Sequence, residues 1–139
     1  SLNDENVFLE QISANKASSS LDLIDKVDEW AVEKQLHFKY NDGKTATRQY
    51  RLDNDKNTLL CSTTSKGEIS FRLGELSKIL STEGYKDLFT FLETTFGNTI
   101  FAKPKDKVAG PQFASIVVSN ITQSELSKLL EKFEIIFDL

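Results

Sequence analysis

The spacing of apolar residues changes period along the chain, and each change marks an element. Asn3–Ser13 reads as a short amphipathic helix with Val7, Phe8 and Ile12 at helical spacing. The following "ANKASSS" breaks it and offers a serine as the next N-cap. From there Leu21, Ile24, Val27 or Asp28, and Ala31 recur at three- and four-residue steps, flanked by Leu23 and Trp30. Asp22, Asp25, Glu29 and Glu33 take the wet side, so a second helix of about five turns is predicted.

The period then drops to two. Leu36, Phe38 and Tyr40 alternate with His37, Lys39 and Asn41, and an Asp-Gly turn follows. "TATRQYRL" places Tyr50 and Leu52 on one face and Thr47, Gln49 and Arg51 on the other. After the turn "DNDKN", Leu59–Thr64 and Glu68–Leu73 form the next pair, with Ile69, Phe71 and Leu73 against Ser70 and Arg72. Four strands joined by short turns predict an antiparallel meander with one packed and one solvated face.

Helix returns in "GELSKIL" and, after a break near Gly84, in "YKDLFTFLETTF", whose stripe is Tyr85, Leu88, Phe89, Leu92 and Phe96, with Gly97 as its stop. "NTIFAK" reads as a strand, "PKDKVAGP" as a loop and "FASIVVS" as a buried strand. A closing helix starts at a capping box, Thr122 with Glu125, and carries Leu126, Leu129, Leu130, Phe133 and Phe137 on its stripe. This order predicts an α+β fold: a mostly antiparallel sheet, the four-strand meander plus one or two later strands, packed on one face by helices.

Composition narrows the setting. The 139 residues are expected to form one domain, 1–139, with a core rich in the ten phenylalanines. The chain opens Ser-Leu and holds no methionine, so it is expected to be excised from a longer protein, with residues 1–2 a candidate vector scar. One cysteine and one histidine make neither an internal disulfide nor a structural zinc site, and a cytoplasmic home is expected. No apolar run is long enough for a membrane span. Net charge is −4 but uneven. Residues 36–73 carry seven basic and four acidic side chains, including all three arginines, whereas residues 1–35 carry three lysines against eight acids. That is not the strong basic surplus of a duplex-DNA binder, yet it allows one modest basic face.

The residues that could carry chemistry mostly have simpler uses. Cys61 as a nucleophile would need His37 as its base, but strand alternation sends His37 to the polar face, and Cys61 is expected to pack as a small hydrophobe. The hydroxyl run Ser62–Ser65 beside Lys66 suits a hairpin turn better than a serine–lysine pair. "DNDKN" opens like a calcium loop, but Thr58 and Thr64 stand where that loop needs Gly and Glu. No catalytic residue, cofactor or metal site is therefore assigned. What remains is a surface: Lys39, Arg51 and Arg72 on the polar face with Lys66 at its turn, a candidate contact for phosphate or an acidic partner.

Several of these stretches together resemble an uncharacterised accessory domain that recurs in bacterial proteins. They are "VFLEQI" for an FLE-type helix, "LIDKVDEWAVEK" for a Trp-Ala helix, "QLHFKYNDGK" for a strand and turn, "RQYRLD" for a strand ending in Leu-Asp, and "LLCSTTSKGEISFRLGEL" for a strand pair. The likeness spans Val7 to Phe137, but Thr47-Arg48 and Tyr50 depart from its Ser-Phe and proline. Such domains often lie C-terminal to endonuclease-like domains. The resemblance implies an upstream partner domain in the same polypeptide and a nucleic-acid context through that parent, and it carries no catalytic residues. The expected function is a non-catalytic accessory or interaction domain that positions a partner domain or substrate. Two alternatives stay open: an acidic protein-binding module of secretion-chaperone type, acting as a homodimer, and a small cysteine or serine hydrolase.

Overall fold

A computed structural model describes residues 2–96 and 113–139 and the backbone of Ile100–Phe101. The fold is α+β, as the change of period predicts. Strands β1 (His37–Tyr40), β2 (Thr47–Arg51), β3 (Leu59–Thr64), β4 (Glu68–Phe71), β5 (Ile100–Phe101) and β6 (Ala114–Val117) form one sheet in the order β1-β2-β3-β4-β6-β5. Every neighbouring pair is antiparallel. The meander is thus extended by a last strand that inserts beside β4, leaving β5 at the edge.

Cross-strand partners share a face, so the register sorts the side chains. Tyr50 opposite Cys61, Thr63 opposite Ile69, and Ile69 opposite Ile116 stand on the packed face. Gln49, Ser62, Ser70 and Ser115 form a polar row on the other, which is not the solvated face expected: Gln49 and Ser62 are buried, Ser70 and Ser115 half-buried, and the Arg51 guanidinium is bonded to Gln49. Helices α2 (Leu21–Glu33), α3 (Leu73–Ile79), α4 (Thr82–Thr95) and α5 (Gln123–Phe137) bury their stripes in one cluster with the packed face. Phe71 stacks on Phe133 with ring centres 5.6 Å apart, which couples the sheet centre to α5. Helix α1 (Glu5–Ala14) closes a second cluster, in which Phe8, Ile12 and Ile24 surround Ala46.

The element ends explain where expectation and structure differ. Helix α2 has 13 residues, shorter than five turns, because Gln35 adopts a left-handed φ of 60°. The Leu36 N–H then bonds back to Ala31 O at 2.9 Å and Gln35 N–H to Val32 O at 3.0 Å, closing the helix without glycine. Leu73 opens α3 instead of ending β4, where it is fully buried. The break between α3 and α4 falls at Leu80–Ser81, not at Gly84. The Ser81 side chain caps α4 by accepting from Gly84 N–H at 3.0 Å. The serine of "ANKASSS" lies in a 3-10 turn, Ser18–Ser20, and Ser20 makes no side-chain cap bond. The expected capping box of Thr122 and Glu125 is formed, with bonds of 2.9 and 3.1 Å. Phe113 is 53% exposed, one residue ahead of β6, where a buried strand start was expected. Gly97 and the "PKDKVAGP" stretch lie outside the described residues. Among the described residues no helix is long and apolar enough to cross a membrane.

Candidate anion-contact site at one end of the sheet

Strand β2 carries two arginines three residues apart, and alternation sends them to opposite faces. Arg51, on the polar face, ends the strand beside a register shift between Tyr50 and Arg51. Its guanidinium is held in place. Nε and Nη2 donate to Gln49 Oε1 at 3.1 and 2.9 Å, and Nη1 donates to Asn57 O at 2.8 Å. Arg72 leaves β4 at the same end, at the N-cap position of α3, and its one described partner is Glu75 at 3.6 Å. Arg51 has its pKa lowered by burial and by the Arg72 charge, with Glu75 opposing. The two arginines thus stand at one end of the sheet, in grooves that share Glu75.

Helix α3 divides this end into two adjoining grooves of about 160 Å³ each, and Glu75 lines both. Arg51, Lys56 and Ile79 line the first with the β2–β3 turn. Arg72, Gly74, Lys78 and Phe113 line the second. Four cationic side chains therefore share these grooves with one carboxylate. In the same turn Asp53 is engaged by His37, whose Nε2 lies 3.0 Å from its carboxylate.

The other expected site residues divide. Lys39 is exposed on edge strand β1 opposite Gln49, the residue that anchors Arg51. Lys66 is exposed at the β3–β4 turn, the far end of the sheet, roughly 20 Å along β3 at ~3.3 Å per residue. The structure thus gathers Arg51 and Arg72 and leaves Lys66 apart. Lys56, Lys78 and Phe113 join the site without having been expected. Phe113 could have been found from period two, because Ala114 and Ile116 are buried and Ser115 is not, which sets Phe113 on the outer parity.

No family model, curated protein or solved structure matches the chain.

The alternative chemistry is dispersed by the same alternation. Cys61 is buried and opposite Tyr50, and burial pushes its thiol up to about 12. His37 stands on the opposite face with Asp53, so the two are not brought together. The hydroxyl run is spent on structure. Thr63 Oγ1 meets the Tyr50 hydroxyl at 2.9 Å, Thr64 Oγ1 donates to Glu68 at 3.3 Å, and Ser65 Oγ donates to Gln11 Oε1 at 2.7 Å. Gly67 permits the turn with φ 79°, and a Cβ there would sit 2.6 Å from Ser20 Oγ. Among the described residues no group of three or more His, Cys, Asp or Glu side chains is placed to hold a metal ion.

Arg48, the other β2 arginine, is buried on the packed face. Its Nε donates to the Tyr40 hydroxyl at 3.0 Å, Nη1 pairs with Asp28 of α2, and its guanidinium carbon lies 4.6 Å from the Phe8 ring centre. The Tyr50 hydroxyl donates to the second Asp28 oxygen at 2.5 Å. Burial lifts the Asp28 carboxyl above the ordinary aspartate range, against the Tyr50 hydrogen bond and the Arg48 charge. Burial, then the Asp28 charge, also hold the Tyr50 phenol well above its usual value, so it stays a donor. Every fully buried side-chain N or O atom among the described residues has a partner. This network ties α1 and α2 to the sheet.

Proposed function

We propose that this chain is a non-catalytic interaction domain that grips an anionic partner, a nucleic-acid phosphate backbone in the leading reading, at the Arg51–Arg72 end of its polar sheet face. One observation carries this reading. Arg51, Lys56, Arg72 and Lys78 converge on two adjoining grooves at one end of the sheet, with Glu75 the one carboxylate in their lining. The bacterial accessory-domain likeness supplies the setting: a cytoplasmic protein whose upstream domain acts on nucleic acid, with this domain positioning the substrate.

A dimerising chaperone would need a continuous apolar helix face. Helices α2 and α5 instead bury their stripes, and Val32 and Ile135 are the large apolar side chains they leave exposed. A cysteine hydrolase would need Cys61 beside a base, and Cys61 is buried on the face opposite His37.

The test is fluorescence polarisation of a labelled oligonucleotide at low salt. Arg51→Ala and Arg72→Ala each weaken binding, and Lys66→Ala leaves it unchanged. Equal binding by all three variants would refute the reading.

A further inference from the structure

Building on that reading, we propose that the partner is single-stranded nucleic acid, and that Phe113 is the platform on which an unpaired base stacks while Arg72 and Lys78 take the adjoining phosphates. Phe113 is 53% exposed, so its ring face is open to a ligand. It does not stand alone on the surface. It forms one wall of the groove whose other walls are Arg72, Gly74, Glu75 and Lys78.

This is the chemical combination that unpaired nucleotides need. Each has a π face that stacks on an aromatic ring and a phosphate that pairs with a cation one sugar away. A duplex hides its base faces, so it would use the cations and gain nothing from Phe113. An acidic peptide would likewise pair with Arg72 and Lys78, and it carries no required planar group. Gly74 adds no side chain to the groove lining. The Arg72 guanidinium, 42% exposed and only 3.6 Å from Glu75, has N–H groups to spare. Arg51 across helix α3 is fixed by Gln49 and Asn57, so it supplies a stationary positive field for the strand's continuation. Glu75 opposes a phosphate in either groove, which favours a modest, salt-sensitive affinity over tight binding.

The experiment compares a labelled oligothymidylate with a duplex of the same length, on the chain as it stands. Phe113→Ala should weaken oligothymidylate binding by about 5- to 100-fold, the range that loss of one stacked base produces. It should leave duplex binding unchanged, and Phe113→Tyr should bind like the parent. Arg72→Ala should weaken both. If Phe113→Ala binds oligothymidylate as the parent does while Arg72→Ala does not, the stacking proposal fails and the arginine reading stands. If polyglutamate binds through Arg51 and Arg72 and neither nucleic acid does, the partner is an acidic protein and the proposal is overturned. If no probe depends on either arginine, both readings fall. Phe113 lies outside the buried core, and an unchanged urea midpoint for Phe113→Ala separates a lost contact from a lost fold.

Discussion

Arg48 and Arg51 lie on the same five-residue strand, three positions apart, and do opposite work. Arg48 is turned inward, where its guanidinium is spent on Asp28, the Tyr40 hydroxyl and the Phe8 ring. Arg51 is turned to the polar face and braced by Gln49 and Asn57, and it shares its groove with Lys56 and Glu75. The residue type is the same; the parity of the strand decides whether the charge is structural or available. A buried charge is costly to orphan, whereas a charge lining a surface groove contributes less to stability and more to recognition.

The contrast is broken most severely at Arg48. Arg48→Ala leaves the largely buried Asp28 carboxyl without its cation and should cost about 3–5 kcal/mol in urea unfolding, against about 1 kcal/mol for Arg51→Ala, which gives up its bonds to Gln49 and Asn57. A double variant, Arg48→Met with Asp28→Leu, should recover much of that loss, because replacing both charges removes the orphan. Equal costs for Arg48→Ala and Arg51→Ala would erase the distinction.

Tyr50→Phe comes next. It removes the hydroxyl that donates to Asp28 and contacts Thr63, for an expected loss of about 1–3 kcal/mol with anion binding unaffected. A Tyr50→Phe protein as stable as the parent would mean that the network is not what joins α2 to the sheet.

A smaller effect lies in pH. The folded state holds Asp28 protonated more strongly than the unfolded chain does. Its contribution to stability is therefore full below the ordinary aspartate pKa and is lost as pH rises through the raised folded value. The stability advantage of the parent over Asp28→Asn should grow as pH falls through that window. An advantage that grows with rising pH would show that the Arg48 charge outweighs burial.

Much of the fold was legible because periodicity is a direct consequence of one-sided burial. The meander, the α5 stripe and the Thr122–Glu125 capping box all follow from local spacing. The helix stops were harder to read, since Lys16 and Gln35, not glycines, take the left-handed position after α1 and α2. The place of β6 between β4 and β5 depends on contacts distant in sequence. Of the candidate site, Arg51 and Arg72 were legible from strand parity. The outward parity of Phe113 was legible too, but its meeting with Lys56 and Lys78 was not, because that depends on where α3 and the β2–β3 turn settle. The buried network left a trace as well. Asp28 interrupts the stripe of α2, and Arg48 sits on the core parity of β2, two opposite charges each in a position that expects an apolar residue.

The assignment of Arg51 and Arg72 to recognition is tested most directly by the salt dependence of oligothymidylate binding. Affinity is measured by polarisation across a range of ionic strength for the parent and for the Arg51→Ala, Arg72→Ala double variant. Each phosphate contact removed should flatten the slope of log affinity against log salt by about 0.7, so the double variant should be shallower by about 1.4, with a cooperative urea transition showing that it is still folded. Identical slopes for the two proteins would contradict the assignment and place the charges of this end outside any nucleic-acid contact.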